Sequence, residues 1–159
     1  MIFVTMGSQK FQFDRLLKAL DNLAEEGKIH QEIIAQTGAC TYRPKHIKCE
    51  PFMDRDHFGD CMNQAELIIS HAGTGTIIKA VKAGKKIIVV PRLARYGEHV
   101  DDHQTEIADM FEELGMILSC RDCSELEQKI NEIRDRTFRK YESNTETIIR
   151  SIDEYVSGL

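Results

Sequence analysis

Leu67-Ile68-Ile69 passes directly into Ser70-His71-Ala72-Gly73-Thr74-Gly75-Thr76, so a short apolar run leads into a loop of small residues. A helical pattern follows at 74–83, then a second apolar run at 87–90 and a polar segment from Pro91 to Gln104. This order is typical of an α/β unit with parallel strands. In such a unit the bare backbone N–H groups of the loop meet a helix N-terminus, where phosphate groups bind. The stretch therefore predicts a nucleotide or nucleotide-sugar site.

The composition narrows the class of protein. The chain has 159 residues, enough for one domain with its own core, and its 42% hydrophobic and 30% charged content is ordinary for a globular protein. No apolar run approaches the roughly 20 residues of a membrane span. The net charge of −5 argues against broad nucleic-acid binding, which needs a basic face. The first five residues have no basic region and are interpreted as a core strand rather than a signal peptide.

The cysteines predict reduced thiols in a cytosolic protein. There are five of them, so they cannot all pair within one chain. Cys120 and Cys123 have CxxC spacing, but a structural zinc site usually needs a second pair. A thioredoxin-like pair usually follows the first strand of its fold. Redox or metal chemistry at this CxxC is therefore the minor alternative.

Strand and helix patterns alternate along the whole chain. Apolar runs predict strands at 1–6, 32–37, 47–50, 67–69, 87–90 and 116–118. Helical spacing and caps predict helices at 11–26, 55–64, 74–83, 101–114, 124–136 and 138–156, the fifth opened by a capping box at 124–127. This alternation predicts an α/β fold, a Rossmann-like parallel sheet with helices on both faces. No repeat or linker is visible, so residues 1–159 are expected to form a single domain.

Three loops of small or polar residues are predicted to share one edge of this sheet. They are Gly7-Ser8-Gln9, Ser70 to Thr76, and Pro91 to Gln104. Ligands of open parallel sheets bind beyond the carboxyl ends of the strands, which is where these loops lie. Glycine at position 7 is also explained by a turn alone. His71 is compatible with three roles, as a general base, a phosphate donor or a helix-capping residue.

The third loop carries Glu98, His99, Asp101, Asp102 and His103, a set that resembles a metal cluster. His99 and His103 are four residues apart, which would place them on one face of a helix. Gly97 and Val100 favour a loop here, with the helix starting near Asp101 or Asp102, and Asp102 is a suitable N-cap. Metal binding is the minor alternative, because no third ligand is evident elsewhere. Recognition of ligand hydroxyl groups by Asp102, His103 and Gln104 is favoured, since such groups form paired hydrogen bonds to diols.

The last helix has an apolar stripe with two open interpretations. The stripe comprises Tyr141, Ile148, Ile149, Ile152, Tyr155 and Val156. It either covers the core of its own domain or, as a C-terminal amphipathic helix spanning 138–157, docks on a partner subunit.

Taken together, the motifs resemble one family. Phe3-Val4-Thr5-Met6-Gly7-Ser8-Gln9 followed by Phe13-Asp14-Arg15-Leu16 is similar to the opening of the nucleotide-binding half of family 28 glycosyltransferases. Residues 67–77 resemble the donor-binding loop of that family, and Val89 to Gln104 resembles its sugar-side loop. The resemblance covers most of residues 1–118. It implies a GT-B fold, of which this chain corresponds to the C-terminal half.

The resemblance extends to small soluble subunits of two-part transferases. These include the subunit that adds the second N-acetylglucosamine to dolichol-linked glycan, and bacterial capsule and exopolysaccharide enzymes with the Gly-Glu-His-Val-x-Asp-His-Gln form. It implies the donor-binding subunit of an inverting UDP-sugar hexosyltransferase in bacterial capsule or exopolysaccharide synthesis. The implied partners are a membrane-associated acceptor-binding subunit and a lipid-linked saccharide acceptor, with no nucleic acid. The chain is then expected in the cytoplasm, recruited to the inner face of the membrane.

The resemblance also implies which residues contact the UDP-sugar. These are Gly7, Ser8, Gln9, His71, Ala72, Gly73, Thr74, Gly75, Thr76, Pro91, Arg92, Glu98, His99, Asp102, His103 and Gln104. Backbone amides would stabilise the charge that grows on the UDP leaving group, so no metal or other cofactor is expected. A general base is not evident in this chain and is expected on the partner, with His71 as the weak local candidate.

One position departs from the family pattern. Related single-chain enzymes have a glutamate a few residues after the glycine loop that binds the ribose hydroxyls, whereas this chain has Lys79. An ammonium group cannot accept those hydrogen bonds. Lys79 would instead meet a phosphate or a sugar carboxylate, or point away. The departure keeps open an alternative function, a non-catalytic nucleotide-binding or regulatory module that stabilises a partner protein.

Overall fold

Six parallel strands form one sheet in the computed structural model, which describes residues 1–7, 9–140, 142 and 145–157. The strands are β1 (Ile2–Thr5), β2 (Ile33–Gln36), β3 (Lys48–Glu50), β4 (Leu67–Ser70), β5 (Ile87–Val89) and β6 (Leu118–Ser119). Their order across the sheet is β3-β2-β1-β4-β5-β6. Strand β1 therefore pairs with β2 on one side and β4 on the other. This is the point at which the strand order reverses, and ligands of open α/β sheets bind there.

Helices lie in every connection between successive strands except the one from β2 to β3, where residues 37–47 form turns and loop, so the alternation predicted along the whole chain is wrong there. The helices are α1 (Asp14–Glu25), α2 (Arg55–Gln64), α3 (Thr74–Lys82), α4 (His103–Glu113), α5 (Leu126–Arg134) and α6 (Thr145–Ser157). The predicted fold class is confirmed, because all six predicted strands are present and pair in parallel.

Two hydrophobic cores cover the two faces of the sheet. Alternate residues of β1 point to opposite faces, so Val4 joins one core and Phe3 the other. The first core contains Leu16 of α1 and Ile130 of α5. The second contains side chains of α2, α3 and α4, including Ile77. Helices on both faces explain why the central strands are apolar throughout rather than alternating with polar residues.

Four predicted helices begin later in the structure: α1 at Asp14 rather than 11, α4 at His103 rather than 101, and α5 and α6 as follows. Asp122 accepts a hydrogen bond from the Ser124 N–H at 2.9 Å and opens a 3₁₀ turn, so α5 begins at Leu126 without the predicted capping box. The last helix begins at Thr145 rather than at 138. Residues 136–140 are not helical, and within them the Arg139 N–H donates to the Gly115 carbonyl oxygen at 2.8 Å, a long-range bond that a helix would not allow.

The stripe of α6 packs partly on its own domain. Ile149 is buried in the second core, while Ile148 and Ile152 are half-buried and lie with Met110 along a groove between α4 and α6. Tyr155 is 59% exposed. Tyr141 and the Val156 side chain lie outside the described residues. The stripe therefore covers core, and its docking on a partner stays a prediction.

The CxxC pair lies in a setting that disfavours thiolate chemistry. Cys120 is buried and Cys123 half-buried, and the five cysteines are free thiols. Burial raises the pKa of Cys120 to about 12 and that of Cys123 to about 11. Both thiols are therefore protonated near neutral pH, whereas nucleophilic or metal-binding cysteines are thiolates.

Of the helices that can be described, none is long and apolar enough to span a bilayer.

Candidate functional site

An open cleft of about 480 Å³ lies at the carboxyl ends of β1 and β4. It brings the predicted β1 loop and glycine loop together at the reversal of strand order. The described residues that line it are Thr5, Gly7, Gln9, Gln36, Phe52, Met53, Arg55, Phe58, His71, Gly73, Gly75, Thr76 and Lys79. Ser8, also predicted to contact the ligand, lies outside the described residues.

The N-terminus of α3 opens onto this cleft. Gly73 is the N-cap residue, and among the described residues no side chain accepts a hydrogen bond from the first turn of α3. Gly73, Gly75 and Thr76 all line the cleft, and Thr74 is the first residue of the helix. The first N–H groups of a helix have no partner within the helix and carry a partial positive charge. An anion in the cleft would supply the missing acceptors.

The imidazole of His71 is packed tightly against two glycines. A Cβ atom on Gly7 would lie 2.7 Å from His71 Nε2, and one on Gly73 would lie 2.8 Å from the same atom. Gly7 also has a φ of +79°, which disfavours any side chain. Both glycines are therefore required by packing against His71.

His71 is neutral in the folded protein. The side chain is 7% exposed, and burial together with the nearby positive charge of Arg92 lowers its pKa to about 3. A group with so low a pKa is a poor general base near neutral pH. Its Nδ1 lies 3.4 Å from the Gln104 side-chain nitrogen. The environment of His71 assigns it to shaping the loop and disfavours the base role considered from the sequence.

Acidification is expected to destabilise the protein through His71. An unfolded histidine has a pKa near 6.5, so between pH 7 and 5 the unfolded chain binds a proton at His71 that the folded chain does not bind. This difference lowers the free energy of unfolding by about 2 kcal/mol. Urea unfolding at both pH values should therefore show a smaller loss for His71→Gln than for the native chain. His30→Gln, at an exposed histidine, is the control and should lose as much as the native chain; equal losses for all three would contradict this account.

Gln104 ties the glycine loop to the loop that follows β5. Its side-chain oxygen accepts hydrogen bonds from the Ala72 N–H at 3.1 Å and the Arg92 N–H at 3.0 Å. The residue is 4% exposed. Buried backbone N–H groups need such acceptors. Gln104 is thus a positioning residue within the protein, in contrast to the predicted contact with sugar hydroxyls.

Arg92 is fully buried beneath the loops. Its guanidinium donates hydrogen bonds to four backbone carbonyl oxygens, which belong to Met6, Phe11, Gln12 and Glu98. The first three belong to the segment after β1, so Arg92 joins that segment to the loop after β5. The guanidinium is thus occupied by bonds within the protein, and the predicted UDP-sugar contact by this residue stays a prediction.

Glu98 is likewise bound within the protein. Its carboxylate is fully buried and accepts hydrogen bonds from Arg15 Nε and Nη2, each at 3.0 Å, and from the Leu93 N–H. Arg15 also donates to the carbonyl oxygen of Pro91, another predicted contact, which is buried. This paired arrangement fixes the loop and explains why a carboxylate is tolerated without solvent. Both residues thus have a structural role in the loop, and their predicted contacts with the UDP-sugar stay predictions.

The acidic and histidine residues of the third loop form local contacts. Asp101 accepts a hydrogen bond from the His103 N–H at 3.0 Å and lies 3.2 Å from His99 Nδ1. Asp102 is the N-cap residue of α4, but its carboxylate accepts instead from the Ala94 N–H at 2.8 Å. His99 and His103 are half-buried and Asp102 is exposed, and none of the three is among the described residues that line the cleft. Within the described part of the chain, no three His, Cys, Asp or Glu side chains converge on a metal position.

Several lining residues were not predicted from the sequence. Gln36 at the end of β2 accepts a hydrogen bond from the Met53 N–H at 2.9 Å and holds the loop after β3 at the cleft. Phe52 in that loop is 71% exposed. The signal for Phe52 was its position after a strand on the ligand edge, next to Pro51. Exposed aromatic residues on such loops are candidates for ligand contact.

Lys79 lines the cleft rather than pointing away from it. Its Nζ lies 5.6 Å from the centre of the Phe58 ring, and the side chain is exposed. Together with Arg55 it gives this wall of the cleft two cationic side chains. The position that departs from the family pattern is therefore part of the site.

Comparisons with known proteins support the family resemblance seen in the sequence. The family described as glycosyltransferase family 28 C-terminal domain matches residues 1–156. The UDP-N-acetylglucosamine transferase subunit ALG13 of Homo sapiens is 29% identical over 126 residues, covering 75% of this chain and 11% of that protein. The subunit of the same name from Saccharomyces cerevisiae is 43% identical over 56 residues, covering 35% of this chain and 26% of that protein. The chain thus spans only a tenth to about a quarter of these relatives.

Solved structures agree on the fold. An NMR structure of ALG13 superposes with a TM-score of 0.62 at 20% identity, covering 98% of this chain and 96% of that one. The crystal structure of Acinetobacter baumannii MurG gives a TM-score of 0.60 at 19% identity, covering 95% of this chain and 49% of that one. The predicted likeness to one half of a GT-B glycosyltransferase is confirmed. The chain belongs to the glycosyltransferase family 28 C-terminal domain family.

Proposed function

We propose that this chain is the donor-binding domain of an inverting glycosyltransferase and holds a UDP-sugar in the cleft at the end of β1 and β4. The observation that carries the proposal is the N-terminus of α3, which has no side-chain cap among the described residues and is framed by Gly7 and Gly73 at the reversal of strand order. Such a site offers backbone N–H groups to a diphosphate without formal positive charge. Lys79 and Arg55 add cationic side chains on one wall.

The proposed chemistry follows from the charge of the leaving group. As the glycosidic bond breaks, negative charge grows on the UDP oxygen that was bonded to the sugar. N–H groups at the start of α3 are fixed in place, so they stabilise this charge without reorganising. The acceptor hydroxyl must lose its proton on the opposite face of the sugar, which needs a general base. The neutral, buried His71 does not supply one.

The nucleotide base is proposed to pack on Phe52. This ring is 71% exposed and lines the cleft with Met53 and Phe58, whereas large apolar side chains are usually covered. The sugar would lie toward the half-exposed His99 and His103 and the exposed Asp102. Gln104, Arg92 and Glu98 would hold that loop in place from beneath.

Phe52→Ala is expected to weaken UDP binding about tenfold, because stacking of a base on an aromatic ring contributes about 1–3 kcal/mol. The measurement is isothermal titration calorimetry with UDP. Tyr155→Ala removes an aromatic side chain that is similarly exposed but lies on α6, and serves as the matched control. Equal affinity of the native chain and Phe52→Ala would remove Phe52 from the site.

A partner half is part of the proposal. The relatives are named as transferase subunits, and the cleft as described is bounded by one domain. We propose that a membrane-associated subunit supplies the acceptor site and the base, recruits this chain to the membrane and presents a lipid-linked saccharide. The first donor to test is UDP-N-acetylglucosamine, the sugar in the relatives' name. The bacterial capsule setting expected from the sequence gains no support from these relatives, which are eukaryotic.

Transfer activity is expected only from the pair. The test is an assay of the purified chain, its co-expressed partner and their complex with a panel of UDP-sugars and a lipid-linked acceptor. The complex should transfer sugar, and the chain alone should not. Robust transfer by the chain alone would overturn the split-site proposal. UDP binding without transfer by any complex would favour the alternative, a nucleotide-binding module that stabilises its partner, which Lys79 and the unsuitable His71 also favour.

A further inference from the structure

A basic groove of about 460 Å³ lies at the amino-terminal edge of the sheet, opposite the donor cleft. It is bounded by the turn after α3, by Met116 after α4 and by the segment 136–140 after α5. Its basic residues are Lys82, Lys85, Lys86, Arg136, Arg139 and Lys140. No aspartate or glutamate is among the described residues that line it, although the chain as a whole has a net charge of −5. The concentration of one sign of charge in a recess points to a ligand of the other sign.

The internal contacts of two of these lysines leave their charge in place. Lys85 Nζ donates to the Ala65 carbonyl oxygen at 3.0 Å, and Lys86 Nζ donates to the Arg134 carbonyl oxygen at 2.7 Å. Carbonyl oxygens satisfy N–H donors but carry no formal charge, so the ammonium groups are positioned without being neutralised. The groove is thereby built with fixed cationic groups rather than with freely rotating ones.

The groove also has an apolar surface. Val81 and Met116 are buried residues on its wall, and Phe138 is half-buried there. Arg136 Nη1 forms an ion pair with a Glu132 carboxylate oxygen at 3.0 Å, but exposed ion pairs of this kind contribute little to the free energy of folding. The groove therefore suits an occupant that combines several negative charges with at least one apolar side chain.

We propose that this groove binds an acidic peptide segment of a partner protein. Charge complementarity and the apolar wall favour such a segment over a phosphate ion or a nucleic acid. The recess disfavours a flat bilayer, since headgroups meet protruding charges more readily than recessed ones. The inference concerns a second surface and does not need the cleft to bind a nucleotide.

The test uses fluorescence anisotropy with a labelled acidic peptide, Glu-Glu-Phe-Asp-Glu-Leu-Glu-Glu, and its Gln/Asn counterpart, without nucleotide. The native chain should bind the acidic peptide saturably and the neutral one at least about tenfold more weakly. Arg139→Glu/Lys140→Glu should lose at least about tenfold in affinity. Arg43→Glu/Lys45→Glu changes the net charge equally at exposed residues after β2 and should bind like the native chain.

Four results would overturn the inference. The first is no saturable binding by the native chain, and the second is an equal loss in both double variants, which would indicate nonspecific charge attraction. The third is a different ligand at the groove: the native chain binds phosphatidylserine vesicles or a single-stranded oligonucleotide but not the peptide, and Arg139→Glu/Lys140→Glu abolishes that binding. Nuclear magnetic resonance shifts confined to 81–86 and 136–140 would support the inference; shifts confined to the cleft would contradict it.

Discussion

Gly73→Ala is expected to weaken UDP binding by at least about tenfold and to lower the free energy of unfolding by about 1–3 kcal/mol, the usual range for overpacking a core. The new Cβ atom would lie 2.8 Å from His71 Nε2, which is closer than a carbon and a nitrogen can pack. His71 cannot easily move away, because it is buried and also touches Gly7. The strain would shift the start of α3, where the diphosphate is proposed to bind.

Gly59→Ala is the matched control for that substitution. Gly59 lies in α2, outside the residues that line the cleft, and no heavy atom lies within 4 Å of a Cβ added there. Alanine at this position should stabilise the helix by about 0.5–1 kcal/mol and leave UDP affinity unchanged. Calorimetry and urea unfolding of both variants separate the two effects. If Gly73→Ala bound UDP as tightly as Gly59→Ala, the packing of His71 against the loop would have no part in ligand binding.

Arg92→Met is expected to have the largest effect on stability, a loss of about 4 kcal/mol, because four carbonyl oxygens lose their donor at about 1 kcal/mol each. The substitution keeps an apolar side chain in the buried site and removes only the guanidinium. It should also disconnect the segment after β1 from the loop after β5, so UDP affinity should fall as well. Arg92→Lys should recover part of the loss, since one ammonium cannot reproduce the planar set of donors.

Arg95→Met, at an exposed arginine three residues away, is the control for Arg92→Met. Its side chain stacks on the Tyr96 ring, with Cζ 4.8 Å from the ring centre. Its loss should change the free energy of unfolding by no more than about 0.5 kcal/mol. Urea unfolding of the two variants measures the difference. If both variants had similar free energies of unfolding, the buried hydrogen bonds of Arg92 would contribute no more to stability than the exposed side chain of Arg95.

The sheet was predictable because its signals are local. Each central strand is a short apolar run ended by a turn, and the loop at 70–76 follows such a run directly. The start of α5 shows where local reasoning fails. Ser124 and Glu127 have the spacing of a capping box, but Asp122 lies close enough to accept the Ser124 N–H first. Two capping patterns competed, and spacing alone does not rank them.

The roles of the third loop could not be predicted, because they depend on contacts far apart in the chain. Arg92 donates to Phe11, 81 positions earlier, and Glu98 is paired with Arg15, 83 positions earlier. The sequence showed charged and amide side chains on a ligand edge, for which ligand contact is the natural interpretation. For Arg92, Glu98 and Gln104, burial favours a structural role instead, since a buried polar group must first satisfy its neighbours in the protein.

UDP binding by the isolated chain is the measurement that tests the central claim most directly. Isothermal titration calorimetry should give saturable binding of one UDP per chain, with no added metal and with clear weakening in Phe52→Ala and Gly73→Ala. Weaker binding by these two variants would place the UDP site in the cleft at the ends of β1 and β4. No detectable heat from the folded native chain at millimolar UDP would contradict the assignment of this cleft as a donor site.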